Sequence, residues 1–189
     1  MTQVILASGS PRRKELLKEI IEDFVVIPSD FEEDMTINMD PQKLAIYLSE
    51  GKAQDVAKHF PDAIVLGIDT FVVVKDEIQG KPKNIEDAKQ MLAKESGKEQ
   101  VVISGVTIIR KNANRKKQRS VVTKVWFKKL TEEQITEYVT THEVLDKSGS
   151  YAVQEIGESF VERIEGSYTN IMGLPVEEVK EMLEEFGVE

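Results

Sequence analysis

The chain has 189 residues, 40% of them hydrophobic and 31% charged, a length that suits one domain and a composition able to bury a sizeable core rather than stay disordered. Its 34 acidic against 25 basic residues leave a net charge of −9, a field that repels polyanions and disfavours general nucleic-acid coating. The absence of cysteine excludes a disulfide framework, Cys-ligated zinc and a thiol nucleophile, while the lack of any apolar run near ~18 residues and of a basic start before residues 4–7 predicts no membrane span and a cytoplasmic protein.

In chain order, Val4-Ile5-Leu6-Ala7 predicts a short strand, then a turn at Ser8-Gly9-Ser10 and a helix with apolar residues at Leu16, Leu17, Ile20 and Ile21. Ser10 is its N-cap, and Pro11 takes the first helical position, where the missing proline N–H costs nothing. Residues 24–27 predict a second strand, leading into an acidic loop over 29–34. Asp40-Pro41 repeats the cap-plus-proline signal for a long helix with Leu44, Leu48, Ala53, Val56 and Phe60 on one face, weakened in mid-course by Gly51. The nearly continuous aliphatic run over 63–74 predicts a central strand buried on both faces, interrupted by Asp69 and Thr70 and closed by a turn at Lys75-Asp76-Glu77.

After Gly80-Lys81-Pro82, Asn84 caps a helix through Leu92 that Ser96-Gly97 ends. Residues 100–110 and 120–127 predict an antiparallel hairpin around the basic segment 111–118. Thr131 with Gln134 makes a capping box for a helix to about His142. Beyond Asp146-Lys147-Ser148-Gly149-Ser150-Tyr151, two short strands are predicted, around Val153 and over 160–164, then a polar loop over 166–173. Pro175 opens a final helix whose buried stripe is Val179, Met182, Leu183 and Phe186. Helices interleaved with a parallel-type strand and a long hairpin predict an α/β or α+β fold with a mixed, twisted sheet.

Arg12, Arg13 and Lys14 place three cations in the first turn of the first helix, where the macrodipole is positive and anions are preferred. Free backbone N–H groups, the hydroxyls of Ser8 and Ser10 and two guanidiniums would together bind a polyphosphate; the alternative is a basic turn pointed at solvent. Asp69 lies inside an aliphatic strand, where an ionised carboxylate must be paired, metal-bound or shifted in pKa, unless Thr70 or a backbone amide satisfies it at a strand end. Lys52 on the long helix and Lys81 in a stiff Gly/Pro loop are further candidates to neutralise phosphate, each also readable as an ordinary solvated lysine. Glu32, Glu33 and Asp34 offer hard oxygen donors for Mg²⁺, or form a plain acidic surface loop. There is no G-x-x-x-x-G-K-[ST], G-x-G-x-x-G or H-E-x-x-H. His59 and His142 read as isolated surface helix residues and Trp126 as a packing residue. The hairpin cations Arg110, Lys111, Arg115, Lys116, Lys117 and Arg119 read as a solvated turn, because aromatic side chains to stack bases are missing there.

The opening Leu6-Ala7-Ser8-Gly9-Ser10-Pro11-Arg12-Arg13-Lys14-Glu15-Leu16-Leu17, then Gly67-Ile68-Asp69-Thr70, Gly80-Lys81-Pro82, Ser96-Gly97, Asp146-Lys147-Ser148-Gly149-Ser150-Tyr151 and Met172-Gly173-Leu174-Pro175 resemble, in this order and over nearly the whole chain, the Maf family of nucleotide pyrophosphatases. The resemblance implies a single domain over 1–189 with an inosine triphosphatase-like α/β fold, two lobes around a long, bent mixed β-sheet and a nucleotide-binding cleft. It also implies hydrolysis of a nucleoside triphosphate to monophosphate and pyrophosphate with a divalent metal, Mg²⁺ or Mn²⁺, often by a homodimer, with no stable nucleic-acid partner.

By the same resemblance Asp69 is the catalytic carboxylate and, with Glu33, a metal ligand. Arg13, Lys52 and Lys81 bind phosphates, Ser8 lies in the phosphate-binding turn, and Arg12, Thr70 and Gln154 mark the branch that prefers dTTP and UTP. The chain departs from the family pattern at Ile68, where alanine is usual, at Gln100, in place of histidine, and at Ala152-Val153-Gln154-Glu155, in place of Gly-Ile-Gln-Gly. The added carboxylate and the missing glycines bear on substrate preference rather than on the reaction. The alternative function is that of a non-catalytic regulator of septum formation or a nucleic-acid-binding protein.

Overall fold

The computed structural model describes residues 2–188. Strand β1 (Val4–Leu6) leads to helix α1 (Pro11–Lys18), whose first turn is capped by the Ser10 hydroxyl accepting the Arg13 N–H. After β2 (Val25–Val26), Asp40 accepts the N–H groups of Gln42 and Lys43 to start α2 (Pro41–Ala57). The long central strand β3 (Ile64–Val74) is buried along its length apart from Thr70. A turn through Lys75 and Asp76, both at positive φ, then returns the chain as β4 (Glu77–Gln79), a short strand where the sequence predicts only a turn. The chain continues through α3 (Ile85–Glu95), β5 (Glu99–Arg110), β6 (Arg115–Phe127), α4 (Glu132–Thr141), α5 (Val153–Phe160), β7 (Val161–Glu165), α6 (Tyr168–Ile171) and α7 (Val176–Glu185).

The strands form one mixed sheet in the order β2-β1-β3-β5-β6-β7, with β4 paired to β3. β1 runs parallel to β2 and β3, with Ile5 opposite Val25 and Val65, whereas β4 and β7 are antiparallel to their neighbours. The mixed α/β class expected from the sequence is the one observed. Among the described residues no helix is long and apolar enough to cross a membrane.

Three further local readings change. The segment around Val153 is helical, because Val153, Ile156 and Phe160 are buried together at helical spacing, a pattern that a short aliphatic run hides. Residues 168–171 form a helical turn within the expected polar loop, since the Ser167 hydroxyl accepts the Asn170 N–H at 3.2 Å. β6 begins at Arg115 rather than Ser120, so residues 115–118 of the basic segment are strand, while Lys111–Ala113 form a 3-10 turn closed by Asn114 in the left-handed conformation at φ 48°.

The chain divides into two compact units. One contains the residues up to Thr70, Ser104–Val121 and those from Gly173 onward; the other contains Phe71–Ile103 and Val122–Met172. In the first, Ala53, Val56 and Ala57 of α2 pack against Ile5, Ala7, Ala63, Val65 and Ile109. The helix lies directly on the strands because glycines face it: a Cβ on Gly67 would stand 2.7 Å from the Ala53 nitrogen, and one on Gly105 would stand 2.6 Å from that of Ile46. The second unit has its own core of Leu92, Val102, Val125, Phe127, Tyr138, Tyr151 and Phe160, with Phe127 edge-on to Tyr151 at 5.0 Å. Full burial of each such apolar side chain favours folding by about 1.5–3 kcal/mol.

Candidate active site

Alternation along β3 decides what Asp69 meets. Ala63 and Val65 pack with α2, Gly67 lets that helix approach, and Asp69, two residues further, presents its carboxylate to the same helix. There Lys52 Nζ donates to Asp69 Oδ1 at 2.6 Å. The two side chains are 12% and 6% exposed, so each charge is largely removed from water and is stabilised by the other. The same ammonium lies 2.7 Å from Glu33 Oε1, on a side chain that is 45% exposed. Two carboxylates therefore converge on one cation, one rigid and buried, the other open to solvent.

The acidic loop carrying Glu33 is seated by a stripe on α2 that the sequence does not advertise as functional. Gly51 leaves room for the Phe31 ring, whose Cε1 would be 2.5 Å from a Cβ at that position. One turn earlier Tyr47 meets Phe31 edge-on at 6.2 Å. One turn later Asp55 Oδ2 accepts the Ser29 hydroxyl at 3.0 Å and the Asp30 N–H at 2.9 Å. These hydrogen bonds, from Asp30 first and then Ser29, hold the Asp55 carboxyl below the usual carboxylate range. The mid-helix glycine, a cost of about 1 kcal/mol relative to alanine, thus docks the loop next to Lys52. Its only sequence signal is a glycine where helix propensity disfavours one.

Arg13 is committed to protein acceptors. Its Nε donates to the Gly173 carbonyl at 2.9 Å, Nη1 to Ser8 Oγ at 3.1 Å and the Ile68 carbonyl at 3.0 Å, and Nη2 to Thr70 Oγ1 at 3.3 Å. A guanidinium has five N–H groups, so these four bonds leave one. Gly173 adopts φ 106° where it meets the arginine, a conformation costly for any residue with a Cβ. Burial lowers the Arg13 pKa, opposed by the charges of Asp69 and Glu33 and assisted by Arg12. Ser8, buried at the start of the turn between β1 and α1, also accepts the Ser10 N–H at 3.3 Å, and Thr70 shares a 2.7 Å hydroxyl contact with Ser104. Arg12 makes no hydrogen bond or ion pair among the described residues.

The first unit therefore brings together Ser8, Arg12, Arg13, Glu33, Lys52, Asp69 and Thr70. Lys81 and Gln154 belong to the second. Lys81 is exposed beside buried Pro82, in a loop held by the Gly149 N–H donating to the Gly80 carbonyl at 3.1 Å and the Ser148 hydroxyl donating to the Gln79 carbonyl at 2.5 Å. Gln154 is exposed in the first turn of α5. Its neighbour Glu155 accepts the Tyr138 hydroxyl at 2.7 Å and stands 3.7 Å from Lys147 Nζ, so this added carboxylate is engaged by its own unit. Three of the hairpin cations are ion-paired: Lys116 with Glu50, Lys117 with Glu185 and Arg119 with Glu181. Arg115 lies over the Phe186 ring at 4.4 Å. Trp126 packs under the Arg163 guanidinium at 3.8 Å.

A carboxylate–lysine cluster on a mixed sheet with flanking helices defines an α/β protein with paired charges gathered around β3 and α2. The same fold is found in a Ham1 protein from Staphylococcus aureus, with a TM-score of 0.55 and 15% identity over 98% of this chain and 100% of that one. A HAM1 protein from Coxiella burnetii matches with a TM-score of 0.54 and 14% identity, again over 98% of this chain and 100% of that one.

Sequence comparison narrows the class. Residues 3–186 match the family described as Maf-like protein. A relative from Methanosarcina barkeri named dTTP/UTP pyrophosphatase is 45% identical over 100% of this chain and 96% of its own length. One of the same name from Syntrophus aciditrophicus is 45% identical over 98% of this chain and 90% of its own. The chain belongs to the Maf-like protein family.

Proposed function

We propose that the protein is a nucleoside triphosphate pyrophosphatase that hydrolyses dTTP and UTP to the monophosphate and pyrophosphate. Relatives 45% identical over nearly their full length bear that name. The observation that carries the reading onto this chain is the Glu33–Lys52–Asp69 cluster, whose carboxylates also act on Arg13.

A divalent metal, Mg²⁺ or Mn²⁺, is part of this reading, and the donors suit it. Asp69 and Glu33 are hard oxygen donors that already converge on one cation, and Mg²⁺ is commonly held by one or two carboxylates with water and substrate phosphates completing its shell. Among the described residues no group of three or more His, Cys, Asp or Glu side chains stands together to hold a metal alone. When bound, the metal neutralises phosphate charge and polarises the phosphoryl group.

Asp69, rigid in β3, takes the proton of the attacking water as the water oxygen bonds to the α-phosphorus. The bond from that phosphorus to the oxygen bridging the α- and β-phosphates breaks, and pyrophosphate leaves. Lys52 holds Asp69 in place by its hydrogen bond, while Arg12, with no hydrogen bond or ion pair among the described residues, and Lys81 oppose the charge developing on the phosphates. Arg13 contributes by holding Ser8, Thr70 and the Gly173 carbonyl in register, with one N–H left for substrate. Gln154 reads the base, because its amide offers both a donor and an acceptor to a pyrimidine edge, and Thr70 and Arg12 complete that preference. The reading includes a cytoplasmic location and no stable nucleic-acid partner, the latter in keeping with the ion pairs that Lys116, Lys117 and Arg119 of the hairpin make within the chain.

The test is product chromatography after incubation with dTTP, UTP, CTP, ATP and GTP in Mg²⁺ or Mn²⁺. Monophosphate and pyrophosphate should form, with the highest kcat/KM on dTTP and UTP. Diphosphate plus orthophosphate would mean that a different bond breaks, and the absence of turnover would favour a non-catalytic regulator. Asp69→Asn, nearly isosteric, should lower kcat at least ~100-fold with an unchanged circular dichroism spectrum; turnover near that of the parent would reassign Asp69 to a structural role.

A further inference from the structure

We infer that Tyr138 is a positioning residue for Gln154, holding the turn that carries it from both sides through a single hydroxyl. This rests on the reading of Gln154 as the base-recognising residue. The Tyr138 hydroxyl accepts the Ala152 N–H at 3.1 Å and donates to Glu155 Oε2 at 2.7 Å. One oxygen atom thereby uses both its donor and its acceptor capacity on the two residues that flank Val153-Gln154.

The oxygen is itself fixed by packing. Tyr138 is 5% exposed, with its ring stacked on His142 at 4.5 Å and tilted against Phe160 at 5.4 Å. Glu155 is held a second time by Lys147 Nζ at 3.7 Å, and Lys147, 6% exposed, is anchored by the Glu143 carbonyl and by Asp146 Oδ1 at 3.0 Å. Ala152 has no side chain with which to cap α5; its carbonyl accepts the N–H groups of Glu155 and Ile156 at 3.0 and 3.2 Å, and the tyrosine meets its N–H. Glu155 is one attachment point and Ala152 the other, and Gln154 stands exposed between these two tethered residues. A side chain that must discriminate bases by directional hydrogen bonds needs such a fixed backbone, since freedom in the turn lets the amide adapt to the wrong edge.

The test compares kcat and KM for dTTP, UTP and CTP in the parent, Tyr138→Phe, Glu155→Ala, Glu155→Gln and Gln154→Ala proteins. Tyr138→Phe keeps the ring and removes only the oxygen. It should lower kcat/KM for dTTP and UTP roughly tenfold, as for one lost hydrogen bond of ordering, mainly through KM, and it should narrow their margin over CTP. Glu155→Ala should behave likewise, while Glu155→Gln, which keeps an acceptor for the hydroxyl, should restore the parent margin. If Tyr138→Phe preserves the margin while Gln154→Ala abolishes it, Gln154 reads the base but Tyr138 does not position it, and the inference fails. A uniform fall in kcat on all three nucleotides would also overturn it, as a general structural effect. If Gln154→Ala leaves the margin unchanged, the base-reading assignment fails and the inference with it.

Discussion

Replacing Arg13 by lysine separates two roles that a basic residue in this turn can play. If its charge on phosphate were all that mattered, lysine would serve almost as well. The structure instead uses the planar fork: Nε to the Gly173 carbonyl, Nη1 to Ser8 Oγ and the Ile68 carbonyl, and Nη2 to Thr70 Oγ1. An ammonium is a single point with no fork and reaches one or two of these acceptors. Two or three are then lost, each worth about 0.5–1.5 kcal/mol net and more where the donor is charged, so Arg13→Lys should destabilise the protein by about 2–4 kcal/mol. For a chain of this size that lowers Tm by about 5–15 °C, and urea unfolding at constant m-value gives the free energy independently. A Tm within about 2 °C of the parent, with activity retained, would show that the fork is dispensable and that Arg13 acts by charge alone.

Gly67→Ala should destabilise by about 1–3 kcal/mol or more, because its Cβ would stand 2.7 Å from the Ala53 nitrogen and closer still to the Ser49 carbonyl, backbone atoms that cannot step aside; an unchanged Tm would refute the close approach of α2. Displacing that helix should also weaken the Lys52–Asp69 pair and reduce turnover. Glu95 is buried with neither carboxyl oxygen hydrogen-bonded among the described residues, and desolvation raises its pKa well above 4.5, against the pull of Lys94 and Lys98. Such a group binds its proton more tightly when folded, so its contribution is complete below the unfolded value and is lost as pH rises from there toward the folded pKa. Glu95→Gln should flatten the fall in stability as pH rises above 4.5, measured by urea denaturation; parallel profiles for parent and variant would refute it.

Much of the secondary structure was legible because it is written in local signals. Ser10-Pro11, Asp40-Pro41, Asn84 and the Thr131–Gln134 box each start a helix where observed, since a cap acts within four residues of itself. The aliphatic run of β3 announced a doubly covered strand for the same reason. Around Val153 local information misled, since three buried residues at helical spacing look like a strand until the core that collects them is known. For the site, the sequence named Asp69 as a carboxylate in need of a partner and Lys52 as one of several solvated or functional lysines. Only the tertiary structure joins them, through strand alternation and two glycines that let α2 lie on the sheet. It also turns Gly51 from a helix defect into the seat of Phe31 and hence of Glu33, and Arg13 from a surface cation into a brace reaching Gly173, 160 residues away. A sequence specifies which groups carry charge and which segments coil or extend, because those follow from covalent chemistry and near neighbours. Which carboxylate faces which ammonium depends on the packing of distant segments, and that depends on the whole chain at once.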